Sequence, residues 1–211
     1  MVMKKLRYLP FALLLMAFTT NLGTVASTNI RVILKSGDLK EFKTHKSINL
    51  KVVYENLKIG EYNSEKEYID KKVSENNKKD AGKGDKWLEK WENAKSNVWP
   101  ARFEELYNKV LSKKMGLKCD RNSVSNPYTL VVKVTYIEPG YNVGVSRKPA
   151  SASFEFDLVS NALPNDPLVS LYVNQVPGAD AMGYDFDSDK RIGESFAKAG
   201  KMLGGYIIKS K

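Results

Sequence analysis

The chain has 211 residues, with 34 Lys and Arg against 24 Asp and Glu, for a formal net charge of +10. Its content of 42% hydrophobic and 10% aromatic residues suffices for a packed core and excludes a largely disordered chain, and the length suits one domain. One Cys and one His exclude a disulfide framework, a Cys-rich zinc site and a histidine-rich metal centre within a single chain.

Lys4, Lys5 and Arg7 precede an uninterrupted apolar run from Phe11 to Phe18, and small residues then lead to Val25, Ala26 and Ser27. This is the charged, apolar and cleavable layout of a secretory signal peptide, assigned to residues 1–27. The run falls short of the roughly 20 residues that cross a bilayer. No Cys follows it, which argues against a lipoprotein anchor; an uncut amino-terminal anchor is the alternative. Residues 28–211 are then a single exported domain, periplasmic or secreted. Loss of Lys4, Lys5 and Arg7 with the leader leaves 31 basic residues against 24 acidic. Residues 28–118 hold 21 basic and 14 acidic residues, whereas 119–211 hold ten of each, so the amino-terminal half carries the surplus. Outside the cytoplasm such a surface matches anionic lipid, polysaccharide or peptidoglycan more readily than nucleic acid. A merely solvated Lys-rich surface is the plainer alternative.

Ile30 to Lys35 is an apolar, β-branched run ended by the turn signal Ser36-Gly37-Asp38. Ile48, Leu50, Val52 and Tyr54 alternate with mostly polar residues, which predicts a strand that continues towards Leu57 and Ile59. Ser64 with Glu67 forms a capping box that opens a helix fading at Asn76 to Lys79. A polar loop from Asp80 to Asp85 follows, and its Gly82-Lys83-Gly84 lacks the spacing of a phosphate loop. Asp85 is placed to cap a helix carrying Trp87, Leu88 and Trp91. Pro100 suits the first turn of a further helix in which Phe103, Leu106, Tyr107, Val110 and Leu111 make one apolar face. Lys113, Lys114 and Gly116 are its carboxy-terminal signals.

Tyr128 to Glu138 reads as a central strand with Leu130, Val132, Val134 and Tyr136 on one face and Val131 and Ile137 on the other. Pro139-Gly140 ends it, and a loop or short strand from Asn142 to Val145 follows. Two more alternating strands are expected from Ser151 to Val159 and from Leu168 to Val176, separated by a turn from Asn161 to Pro167. A last helix starts near Ser188 or Asp189. It has an apolar stripe of Ile192, Phe196, Ala199, Leu203 and Ile207, and a line of small residues at Gly193, Ala197, Gly200 and Gly204. An interior helical Gly costs about 1 kcal/mol relative to Ala, so that line implies close approach to a sheet or another backbone. The element order predicts an α+β fold, with a mixed or largely antiparallel sheet of about five strands and helices packed on one face.

Four stretches together resemble an uncharacterised family of exported bacterial α+β proteins: Ile48 to Gly60, Gly82 to Glu92, Glu138 to Val145 with Arg147 to Ala150, and Arg191 to Gly200. More remotely, the element order is similar to the amino-terminal domain of the Tol-system propeller protein and to the curli-secretion lipoprotein. These resemblances imply an envelope assembly component and carry no catalytic motif.

The candidate chemistry is sparse. A Ser-His-Asp or Cys-His site must use His45, which lies in a charged segment with no nucleophile elbow anywhere in the chain. Cys119 beside Lys118 and Arg121 is either an activated thiol or a half-buried inert one. Asp185, Asp187 and Asp189 begin like a calcium loop, but Lys190 and Phe196 stand where its Gly and bidentate Glu belong. Glu155 and Asp157 share a strand face and are the only carboxylate pair offered for a polysaccharide hydrolase. Trp87 and Trp91, one helical turn apart amid Lys83 and Lys86, either stack on a sugar or acidic partner or pack a short helix onto its neighbour. No metal ligand set or cofactor motif is found. The expected role is a non-catalytic envelope binding or assembly protein whose partner is an envelope protein or an anionic envelope polymer, with Trp87, Trp91, Lys83 and Lys86 as binding residues. A hydrolase and a small-molecule binding protein are the alternatives.

Overall fold

In the computed structural model, residues 30–142, 146–178 and 188–210 are described. The leader, residues 143–145, Asp185 and Asp187 lie outside them. The fold is α+β: a mixed sheet of seven strands with helices packed on it. The five expected strands are present, as β1 (Ile33–Gly37), β2 (Ser47–Val53), β5 (Tyr128–Glu138), β8 (Ser151–Ser160) and β9 (Leu163–Pro177). Two short strands join them. β3 (Lys58–Ile59) and β4 (Lys118–Asp120) are too brief to show a period of two in sequence. The order is β1-β9-β8-β5-β2-β4, with β3 also paired to β5. β2 runs parallel to β4 and β5, while β5, β8, β9 and β1 pair antiparallel. Residues flanking the Glu138 turn add a small hairpin, β6 (Tyr141–Asn142) with β7 (Arg147–Lys148).

Two strand readings change in the structure. A register shift between Val134 and Tyr136 on β5 turns Ile137 onto the core side, fully buried, and puts Tyr136 on the other side. One extra residue reverses every side chain beyond it, because the pleat alternates. β9 begins at Leu163 rather than Leu168, despite Pro164 and Pro167. Its pairing to β8 is irregular there, which accommodates residues that lack an amide donor.

α1 (Glu65–Lys79) starts as expected: the Ser64 hydroxyl accepts from the Glu67 amide at 3.2 Å, and the Glu67 carboxylate accepts from the Asn63 amide at 3.3 Å. α2 (Lys83–Asn93) starts three residues earlier than expected. Gly82 with φ 79° is its N-cap, and Asp85 lies inside the first turn. The reason is tertiary. The Gly84 amide donates to Asn77 Oδ1 at 2.6 Å, and a Cβ on Gly84 would stand 2.4 Å from the Val73 carbonyl. The bare backbone of Gly84 lets α2 fold directly onto α1.

The helical path does not break between α2 and Pro100. A π-helical turn, Ala94–Val98, joins α2 to α3 (Trp99–Met115). The Trp99 amide bonds to Ala94 rather than to Lys95, and Pro100 has no amide to offer, so the Lys95 carbonyl loses its partner within the helix. The Tyr54 hydroxyl donates to it at 2.8 Å. α4 (Ser188–Lys209) lies against α3 in the same direction: Gly193 faces Trp99 and Arg102, Gly200 faces Phe103 and Tyr107, and Gly204 faces Val110 and Leu111. The small-residue line thus allows close approach to another helix, with Gly200 nearest. The core lies between these helices and one face of the sheet, where Phe103, Tyr107, Leu130, Val132, Phe154, Phe156, Phe196 and Leu203 are all buried.

Candidate functional site

The tryptophans come together, but inwards. Trp91 is fully buried, stacks on half-buried Trp87 with ring centres 5.5 Å apart, and meets Trp99 edge-on at 5.1 Å. Tyr68 of α1 touches both Trp87 and Trp91, at 5.8 and 5.3 Å, and Trp99 stacks on Phe196 of α4 at 5.5 Å. Each buried indole N–H is satisfied, since Trp91 donates to Glu65 at 2.8 Å and Trp99 donates to the Asp189 carbonyl at 3.0 Å. Lys95 completes the Glu65 contact at 2.7 Å and lies over the Tyr54 ring. Trp91 therefore presents no face to a ligand, which corrects its expected role: it anchors α2 to α1 and α3. Lys83 and Lys86 remain exposed on the outer side of α2. Burial raises the hydroxyl pKa of Tyr54 and of Tyr68 above the usual range, so both stay neutral.

The other candidates are held in structural contacts. His45 stacks on Tyr128 with ring centres 4.0 Å apart and contacts the Thr44 hydroxyl at 3.1 Å. Its pKa is lowered by burial, against an opposing pull from Glu41. Cys119 is buried, and burial pushes its thiol pKa well up, with Glu104 adding to the rise. Its backbone is clamped by Asn108, which donates to the Cys119 carbonyl and accepts from its amide, both at 2.8 Å. Asp157 pairs with Lys133 at 2.7 Å and accepts from Ser170, while Glu155 pairs with Lys35 at 3.1 Å. Asp189 is buried at the start of α4 and pairs with Lys90 at 3.5 Å. Among the described residues, no cluster of three His, Cys, Asp or Glu is arranged to hold a metal, and no helix is long and apolar enough to cross a membrane.

The Glu138-Pro139-Gly140 segment is a corner rather than a site. Glu138 is buried and accepts from Lys148 at 2.5 Å, from the Gly140 amide at 3.1 Å and from the Tyr136 hydroxyl at 3.3 Å. Gly140 has φ 69°, and a Cβ there would stand 2.5 Å from the Lys148 carbonyl. Arg191 of α4 donates to the Pro139 carbonyl at 3.4 Å, tying the corner to the last helix.

The charge surplus does gather, at a place the sequence does not mark. Because α3 and α4 run in the same direction, their carboxy-terminal ends share one end of the molecule. A 3-10 turn, Leu39–Lys43, and the segment leading to β2 lie there too. Lys43 donates to the Ser210 carbonyl at 2.7 Å, and Lys46 Nζ lies 3.7 Å from the Cβ position of Gly116, the cap of α3. Exposed Lys43, Lys46, Lys113, Lys114, Lys118 and Lys209 thus form a basic pole. Among the described residues, none of the six has an acidic side chain within ion-pair distance. Two helix carboxy-termini favour cations, and this accounts for part of the cluster. By contrast, the lysines of α1 and α2 alternate with acids, and Lys66 pairs with Asp70 at 2.5 Å. Segment charge counts could have found the pole, since 28–60 and 99–118 carry the excess; only the fold brings these two segments to α4.

No known protein family matches the chain, and no curated protein matches it. Among solved structures, a PelC dodecamer from Paraburkholderia phytofirmans aligns over 81% of this chain and 96% of its own, with 12% identity and a TM-score of 0.35. A variant of the same PelC in another crystal form aligns over 86% and 99%, with 12% identity and a TM-score of 0.37.

Proposed function

We propose that the chain is a non-catalytic cell-envelope binding or assembly protein, exported by its leader, that holds an anionic envelope polymer or the acidic face of an envelope protein at its basic pole. The carrying observation is the gathering of Lys43, Lys46, Lys113, Lys114, Lys118 and Lys209 at one end, with no acidic side chain among the described residues paired to them. Charge left unneutralised in this way attracts anions over a screening length of about 8 Å at physiological salt. The non-catalytic part of the reading rests on how the candidate groups are engaged. Both strand carboxylates are ion-paired, the thiol is buried and the imidazole is stacked on a tyrosine.

The test is binding of the purified protein to alginate, an anionic polysaccharide, across a salt series. Binding is expected to vanish as ionic strength rises to about 1 M, where the screening length is about 3 Å. A variant carrying Lys43→Glu, Lys113→Glu and Lys114→Glu is expected to bind at least about ten-fold more weakly, because each reversal replaces attraction with repulsion. Binding that ignores both salt and charge reversal refutes the reading.

A further inference from the structure

A groove of about 640 Å³ lies between the outer face of α4 and the chain that enters β1. Its floor is apolar, formed by Ile30, Val32, Met202 and Tyr206. Its rim carries Arg31, Lys198, Lys201 and Lys209, and among the described residues no Asp or Glu lines it. The Lys198 ammonium donates to the Gly178 carbonyl at 2.9 Å; among the described residues, no acidic side chain forms an ion pair with any of the four cations. The volume lies within the roughly 300–1,000 Å³ usual for small-ligand pockets.

Gly205 supplies an independent observation. Its neighbours Gly200 and Gly204 have packing reasons to lack a Cβ, since one added there would meet Phe103 at 2.3 Å or Val110 at 3.1 Å. At Gly205 an added Cβ would meet nothing within 4 Å, although the residue sits inside α4 with ordinary helical φ and lines the groove. A residue poor for helix formation stands there with no neighbour among the described residues to require it, and a large side chain would occupy the groove.

We propose that this groove binds a single-chain anionic amphiphile of the fatty-acid class, its acyl chain on the Ile30, Val32, Met202 and Tyr206 floor and its anionic head among Arg31, Lys198, Lys201 and Lys209. An apolar trough with an uncompensated positive rim is complementary to a molecule that is apolar along its length and negative at one end. The site stands apart from the polymer-binding pole, with only Lys209 in common, so the two readings fail separately.

Titration calorimetry of the full chain with sodium laurate below its micelle concentration tests the proposal. Laurate is expected to bind at least about ten-fold more tightly than octanoate, since each buried methylene contributes up to about four-fold in affinity. Gly205→Trp fills the trough and is expected to abolish laurate binding while alginate binding persists; Gly205→Ala keeps both. The double variant Arg31→Glu and Lys201→Glu is expected to weaken laurate and leave the neutral alcohol dodecanol unchanged. Laurate uptake that is absent, or that is the same in Gly205→Trp, overturns the proposal. So does a dimer, dissociated by Gly205→Trp, with no laurate uptake, which would assign the groove to a second copy of this chain.

Discussion

Two glycines five residues apart on α4 offer a matched comparison in which one substitution should have opposite signs. Gly→Ala in a helix interior is worth up to about 1 kcal/mol in favour of Ala, from backbone entropy and shielding. At Gly205 nothing opposes that gain, because the new Cβ enters open space. At Gly200 the Cβ would stand 2.3 Å from the Phe103 carbonyl oxygen and 3.1 Å from the Tyr107 amide nitrogen. Both are backbone atoms of α3, so no rotamer change relieves the contact. The helices must separate by roughly 1 Å to restore ordinary contact, which loosens Phe103, Tyr107 and Leu203 across a core packed to crystal-like density. Overpacking of this kind costs about 1–3 kcal/mol. The net for Gly200→Ala is therefore a loss of up to about 2 kcal/mol, and the two variants should differ by about 1–3 kcal/mol, since the helical gain is common to both. For a domain of this size that separates their melting temperatures by about 2–12 °C. Thermal and urea unfolding followed by circular dichroism, with wild type between the two variants, is the expected result. Gly200→Ala as stable as Gly205→Ala would show that α3 and α4 do not approach as described.

Trp91→Ala should destabilise by about 3–5 kcal/mol, the usual cost of emptying a buried aromatic site, with Trp87→Ala milder because that ring is half-exposed; urea midpoints of the two variants check the order. Equal, small effects would return the tryptophan pair to the surface. Cys119 should resist alkylation in the native protein even at pH 9, because burial holds the thiol pKa up and disfavours the thiolate, and it should react once urea unfolds the chain. Rapid labelling of native protein would refute its burial.

Much of the local structure is legible in the residues themselves. The capping box at Ser64 and Glu67, the apolar face of α3 and its Gly116 cap each depend on neighbours within one or two helical turns, and the structure has all three. Features that rest on distant partners are not. α2 starts early, at Lys83, because the bare Gly84 backbone lies against Val73 and Asn77, and the π-helical turn persists because Tyr54, just after β2, supplies the donor that Pro100 withholds. The shift on β5 is another such case, since alternation in sequence carries no record of where a bulge falls.

The candidate site divides along the same line. Composition, charge runs and the order of alternating and helical segments determined an α+β fold with a basic excess and no disulfide within the chain. Whether Trp87 and Trp91 face a ligand or a core could not be read from their spacing, because one helical turn apart is the same pattern in either setting; Tyr68, Trp99 and Phe196 decide it. The basic pole and the α4 groove were decided only by tertiary structure. Each joins residues far apart in the chain, such as Lys43 with Ser210 and Ile30 with Tyr206. Local propensity acts over a few residues, whereas a surface charge cluster or a trough is made by whichever segments packing brings together.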